Sequence, residues 1–179
     1  MSDIPRGAIR FNTDSNKPEL WDGSQWAEFQ LSTPNLGRGV DTQPGTRGLF
    51  AGGYQPGAYQ NDIDYINIAS TGNTQDFGTL NNAVTAGGGV GSRTRALFAG
   101  GYIAAGPNAL AQIDTVVFAS TGNASDFGDM ALNHFRRGSA GNATRGLFAG
   151  GSTTPTLGGF SSIDFVTIAS EGNAIDFGD

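Results

Sequence analysis

Few residues in this sequence could do chemistry, and their types and spacing limit what that chemistry could be. There is one histidine, His134, in "LNHFRRG", and no cysteine. A Ser-His-Asp or Cys-His set needs an oriented histidine beside its nucleophile, and no serine recurs near His134. A solvent-facing or capping role is expected for it. Without cysteine there is no thiol nucleophile, no Cys-type zinc site and no disulfide framework. Aspartates, in contrast, recur. Asp64, Asp114 and Asp164 each follow an isoleucine, and Asp76, Asp126 and Asp176 each precede Phe-Gly.

The first aspartate set could offer carboxylates to calcium, and "NDID" at Asn61 to Asp64 faintly resembles a ligand run. The spaced glycine and terminal glutamate of a calcium loop are missing, however. An aspartate repeated in every copy is expected to hydrogen-bond backbone or to pair with the recurring Arg47, Arg95 and Arg145. The second set stands in three identical contexts. It therefore lacks the two unlike environments that an acid and a nucleophile need to cleave a glycoside. "TAGGGVGSRT" at Thr85 to Thr94 lacks the Gly-Lys-Ser/Thr ending of a phosphate loop, and no helix is expected after it. The reading is of a non-enzymatic protein with no cofactor and no metal.

The elements that carry these residues follow from composition. Of 179 residues, 29 are glycine and only 15% are charged, and Phe (12) is far ahead of the other aromatics. Turns and tight packing therefore dominate over charged helix surfaces, and an all-β chain is expected. A net charge of −6, with Lys17 the only lysine, argues against tracking nucleic-acid phosphate. No apolar window spans a membrane, and "MSDIPRGAIRF" lacks the form of a secretory signal, so a soluble protein made in the cytoplasm is expected.

"TRGLFAGG" at Thr46 returns as "TRALFAGG" at Thr94 and "TRGLFAGG" at Thr144. The segments opened by Ile63, Ile113 and Ile163 recur at intervals of 50 residues. A repeat of this length is one supersecondary unit that cannot bury its own faces. Each unit reads as four short strands in a meander: a glycine-rich strand ("LGRGV", "AGGGVG", "RRGSAG"), then "RGLFAGG", then the "IDYINIAS" type, then "DFG". Gly72-Asn73, Gly122-Asn123 and Gly172-Asn173 suggest a tight hairpin with positive φ at its first central residue. The double glycines Gly52-Gly53, Gly100-Gly101 and Gly150-Gly151 are expected to end the second strand. In "IDFVTIAS", Ile163 and Phe165 point to one face and Val166 and Ile168 to the other, so this strand is covered on both sides.

The unit resembles the kelch repeat of β-propellers, with Phe77, Phe127 and Phe177 where the usual outer-strand tryptophan would be. It looks still more like the degenerate kelch-type repeats of marine phage and cyanophage structural proteins. The resemblance implies three four-stranded blades, at about 35–80, 81–130 and 131–179, in a domain over 34–179. Propellers close with about four to eight blades. Three blades leave an apolar face at each end, and faces of that size imply a partner. A homodimer forming a six-bladed ring is expected ahead of a trimer.

Residues 1–33 form a separate segment. "GAIRFN", "ELW" and "QWAEFQL" read as a three-stranded meander too small to hold a core alone. The segment resembles the "G(A/T)IRFNTxTNKxExWDGxxW" modules of phage tail-fibre and other virion proteins, which implies attachment to the particle through Trp21, Trp26 and Phe29. What differs between the blades is the connection from "AGG" to "ID". Varied loops on a fixed scaffold either bind or merely connect. Tyr54, Gln55, Tyr59, Gln60 and Tyr102 are the candidate binding residues, suited to a host-surface glycan or protein. Together the resemblances imply a virion-surface structural protein, either a tail-fibre or receptor-binding component or a capsid decoration protein. A glycan-degrading propeller enzyme is the alternative of another class. Other virion proteins and the chain itself are the expected partners, with no nucleic acid and no membrane insertion.

Overall fold

The computed structural model describes residues 4–14, 17–28, 46–103, 108–154 and 159–179. Among them there are fourteen strands and no helix, arranged in four antiparallel sheets of three or four strands. The chain divides into two compact units, Met1–Thr42 and Gln43–Asp179.

In the first unit, β1 (Ile9–Asn12), β2 (Lys17–Trp21) and β3 (Trp26–Glu28) form a meander in that order. The Asp22 carboxylate accepts from the backbone N–H groups of Ser24 and Gln25, which closes the β2–β3 turn around Gly23 at φ 103°. Glu19 is buried. It accepts from Asn12 Nδ2 at 2.8 Å and Arg10 Nε at 2.7 Å. These two bonds, that of Asn12 foremost, hold its carboxyl below the usual glutamate range. Trp21 and Trp26 are opposite each other across β2 and β3 with ring centroids 5.5 Å apart, and Arg10 caps the Trp26 ring at 4.2 Å. Phe29 lies outside the described residues.

The second unit repeats one meander. Its first sheet is β4 (Arg47–Gln55), β5 (Ala58–Asn67) and β6 (Gln75–Thr79). The second is β7 (Gly88–Gly91), β8 (Arg95–Ala99), β9 (Gln112–Val117) and β10 (Ser125–Asp129). The third is β11 (Gly138–Gly141), β12 (Arg145–Ala149), β13 (Ile163–Thr167) and β14 (Ile175–Gly178). The expected strand "LGRGV" and the boundary near residue 33 lie outside the described residues.

Two apolar layers join these sheets. Ile63, Phe77 and Leu80 of the first repeat, with Val84 of the connection that follows, pack against Ala96, Val116 and Ala124 of the second. Leu97, Ile113, Phe127 and Met130 of the second meet Phe148, Val166 and Ile168 of the third. The alternation along β9 explains both layers, because Ile113 faces one neighbour and Val116 the other. Fully burying such a side chain contributes roughly 1.5–3 kcal/mol. A net hydrogen bond contributes about 1 kcal/mol, so packing dominates the cohesion between sheets.

Two local expectations are corrected. The Gly-Asn pairs do not form tight hairpins: Asn67 and Gln75 are separated by a seven-residue loop, and of the three glycines only Gly172 has the expected positive φ, at 150°, while Gly72 and Gly122 do not. The pair instead docks on the preceding sheet. Gly122 N–H donates to the Phe77 carbonyl at 2.7 Å, Ala124 N–H to the Thr79 carbonyl at 2.8 Å, and Thr79 N–H to Asn123 Oδ1 at 3.1 Å. The third sheet repeats this on the second, with Gly172 N–H to Phe127 O at 2.8 Å, Ala174 N–H to Asp129 O at 2.8 Å, and Asp129 N–H to Asn173 Oδ1 at 3.0 Å. The double glycines follow the second strand in the second and third repeats. In the first, β4 runs through Gly52-Gly53 to Gln55, because a bulge between Ala51 and Gly53 lets the strand continue pairing with β5 up to Gln55 opposite Ala58.

Candidate binding site

The sheets bring together three of the five loop residues named from sequence. Tyr54, on the extension of β4, lies directly opposite Tyr59 on β5, with ring centroids 5.3 Å apart. Tyr102 follows the double glycine of the second repeat and is held by backbone bridges to Thr85 and Ala109. Its ring is 5.8 Å from Tyr59 on one side and 5.1 Å from Phe135 on the other. The result is a run of four rings: Tyr54, Tyr59, Tyr102, Phe135. Tyr54 is 60% exposed, while Phe135 is buried and anchors the inner end.

Polar groups border this strip. Gln55 is exposed beside Tyr54, and Gln60 is half-buried with its amide donating to the Ala58 carbonyl at 3.3 Å. The Arg136 guanidinium lies 5.2 Å over Phe135, on a backbone at φ 58°. Partial burial foremost, then the neighbouring Tyr102 and Tyr54 hydroxyls, push the Tyr59 phenol above its usual range. The strip therefore offers uncharged aromatic faces flanked by amides and one cation. Such faces take up flat, partly apolar rings edged with hydroxyls.

A buried ion pair stands two residues along the chain from Phe135, at Arg137. Arg137 Nη1 donates to Asp164 Oδ2 at 2.6 Å, with both side chains almost wholly buried. Arg137 Nε and Nη2 both donate to His134 Nδ1, so the neutral ring carries its proton on Nε2. His134 is fully buried and stacks on Phe160 at 4.8 Å. The solvent-facing role expected for it is therefore wrong: Phe160 and the Arg137 guanidinium cover the ring. Burial first, and then the adjacent Arg137, lower its pKa, partly offset by Asp164. Sequence reasoning missed Arg137 and Phe135. The signal was available, because Arg137 takes the place of Gly87 in an otherwise glycine-rich strand entry.

The recurring arginines and aspartates do not pair with each other. Across the second and third strands of each repeat, Arg47, Arg95 and Arg145 oppose Asn67, Val117 and Thr167, while the aspartates oppose Phe50, Phe98 and Phe148. Three positions separate the two sites along the strand. An odd separation puts them on opposite faces. The arginines stack instead on aromatic rings: Arg47 over Tyr65, Arg95 over Phe127 and Arg145 over Phe165, at 4.9, 5.9 and 5.0 Å. Arg47 also donates to the Phe118 carbonyl of the next sheet at 2.6 Å, and Arg95 pairs with Glu171 at 3.5 Å.

Asp114 accepts from the Asn81 backbone N–H and Nδ2 and lines a pocket of about 200 Å³ with Asn82, Gln112 and the Gly87–Gly89 strand entry. Burial raises its pKa, against the lowering effect of the Asn81 bonds. Asp126, its cross-strand neighbour, is exposed and caps Gly128 N–H, as Asp176 caps Gly178 N–H. Asp64 is half-buried opposite Asp76. Among the described residues, no three histidine or carboxylate side chains converge on a metal position. The chain matches no family model and no curated protein.

Proposed function

We propose that the three repeat sheets are consecutive blades of a β-propeller, and that the chain is a non-catalytic structural protein on the surface of a phage particle. The aromatic strip Tyr54–Tyr59–Tyr102 is its contact for a host-surface glycan. The strip itself carries this reading: residues from connections that vary between repeats converge into one row of rings with amide neighbours. The phage assignment rests on resemblance in the repeats and in the Trp21–Trp26 segment, which serves as the attachment module in this reading. A tail-fibre or receptor-binding position suits an exposed recognition strip better than a purely decorative one.

The test has two arms. Calorimetric titration of the chain with host-envelope polysaccharide should show binding that Tyr102→Ala reduces at least tenfold. Release of free sugar in the same mixture would make it an enzyme, and binding only to host envelope protein would replace the glycan. Antibody labelling of purified particles should decorate their surface; label confined to the host extract would overturn the virion placement.

A further inference from the structure

Each junction between neighbouring repeats follows one rule. The outer strand of one sheet presents Phe-Gly-Thr or Phe-Gly-Asp (residues 77–79 and 127–129), and the next sheet brings Gly-Asn-Ala (122–124 and 172–174) onto it through the same three hydrogen bonds. The phenylalanine in the middle of the junction is buried both times, Phe77 to 2% and Phe127 to 3% exposure. The glycine after it has no room for a side chain. A Cβ on Gly78 would lie 2.3 Å from the Gly122 carbonyl oxygen, and one on Gly128 would lie 2.5 Å from that of Gly172.

Both halves of a third such junction remain open. On the third sheet, Phe177-Gly178-Asp179 repeats the acceptor strand, yet Phe177 is 55% exposed and a Cβ on Gly178 would meet nothing within 4 Å. β11 is exposed throughout, whereas the equivalent β7 has Gly88 and Val90 buried against the third sheet. On the first sheet, Gly72-Asn73-Thr74 repeats the docking segment and is exposed. Phe50 and Ile68 are 57% and 61% exposed, while their counterparts Phe148 and Ile168 in the third repeat are buried. Even the polar contact has its match. Arg47 reaches the Phe118 carbonyl across the first junction and Arg95 reaches Glu171 across the second, but the exposed Arg145 guanidinium donates to no acceptor among the described residues. Its counterpart acceptor would be the carbonyl of Ile68.

We infer that the occupant of both faces is a second copy of this chain, with Gly72–Thr74 of each copy docked on Phe177–Asp179 of the other. The inference rests on reading the three sheets as consecutive blades. The number of copies follows from ring closure. Propellers hold about four to eight blades, and six is the only multiple of three in that range. Two copies joined through two equivalent junctions make that ring and leave no open face.

The chain has no cysteine, so introduced pairs report cleanly. Thr79→Cys with Asn123→Cys, bridged by a short bis-maleimide, should cross-link within one chain; its failure would overturn the stacked-blade reading and this inference with it. Asn73→Cys with Asp179→Cys should cross-link between chains into a covalent dimer, and neither single variant should do so. Light scattering should give twice the 18.4 kDa chain mass, and Phe177→Asp should reduce it to one chain. If the in-chain pair forms while the wild-type mass is that of one chain, three chains or an open polymer, the two-copy ring is wrong and the blade reading stands.

Discussion

The buried triad of His134, Arg137 and Asp164 is where single side chains matter most. Removing one partner of a buried ion pair strands the other charge, so Asp164→Ala should cost about 3–5 kcal/mol in urea unfolding. Replacing both Arg137 and Asp164 with apolar residues of similar volume should cost much less. The histidine gives the same site a pH signature. Its folded pKa lies below the ordinary value of 6.5, so on acidification the unfolded chain takes up a proton that the native ring refuses. Stability from this group is therefore complete above about pH 6.5 and is lost as pH falls below it. Urea midpoints at pH 7 and pH 5 should differ in that direction, and the difference should shrink in His134→Gln, which keeps an acceptor for Arg137. Asp114 has the opposite sign. Its folded pKa is raised above 3.8, so its ionisation costs stability as pH rises through the folded value. Asp114→Asn should accordingly gain on the parent chain between pH 4 and pH 7, and a parallel pair of pH curves would refute the assignment.

At the scale of elements, the sheets are held to each other by backbone as well as by side chains. Gly128, at φ 144°, leaves room for the Gly172 carbonyl that a methyl group would fill. Gly128→Ala therefore combines strain with a steric clash at the junction and should cost at least about 2 kcal/mol in chemical denaturation. Gly178→Ala, at nearly the same φ but with open space around its Cβ, should cost the chain's own fold only the strain. In the one-chain Phe177→Asp background, equal losses for the two would mean that the inter-sheet contact contributes nothing. The element scale also shows why the Gly-Asn signal misled. Its chemistry fits a two-residue hairpin, but here the same small, polar residues lie against a neighbouring sheet, and the turn is made upstream, where Asn67 Oδ1 accepts from Ala69 N–H.

For the whole molecule, the two apolar layers tie three sheets into one run, and the same apolar positions are bare at both outer faces. Association through those faces makes stability depend on concentration by mass action. The thermal midpoint should rise by several degrees between micromolar and hundred-micromolar chain, and Phe177→Asp should abolish the rise. A midpoint independent of concentration in the parent chain would exclude self-association coupled to folding. The aromatic strip belongs to this scale too, because no single repeat supplies it: Tyr54 and Tyr59 come from the first, Tyr102 from the second, and Phe135 from the connection into the third.

By itself, the sequence determined the all-β class, the order of the described strands in the repeats and the two-faced alternation of β13, where Val166 is buried and Ile163 and Phe165 are half-buried. Those properties are written in local alternation and in a repeat period that each copy restates. It also marked Tyr54, Tyr59 and Tyr102, because they stand where the copies differ. Tertiary structure alone decided which groups meet. The odd offset between the arginines and aspartates separates them across the sheet, so Arg137 became the partner of Asp164 and the recurring arginines turned to aromatic rings. It also decided that His134 is core rather than surface. A side chain's burial depends on which neighbouring sheet covers it, and the contacts that set this join residues distant in the chain.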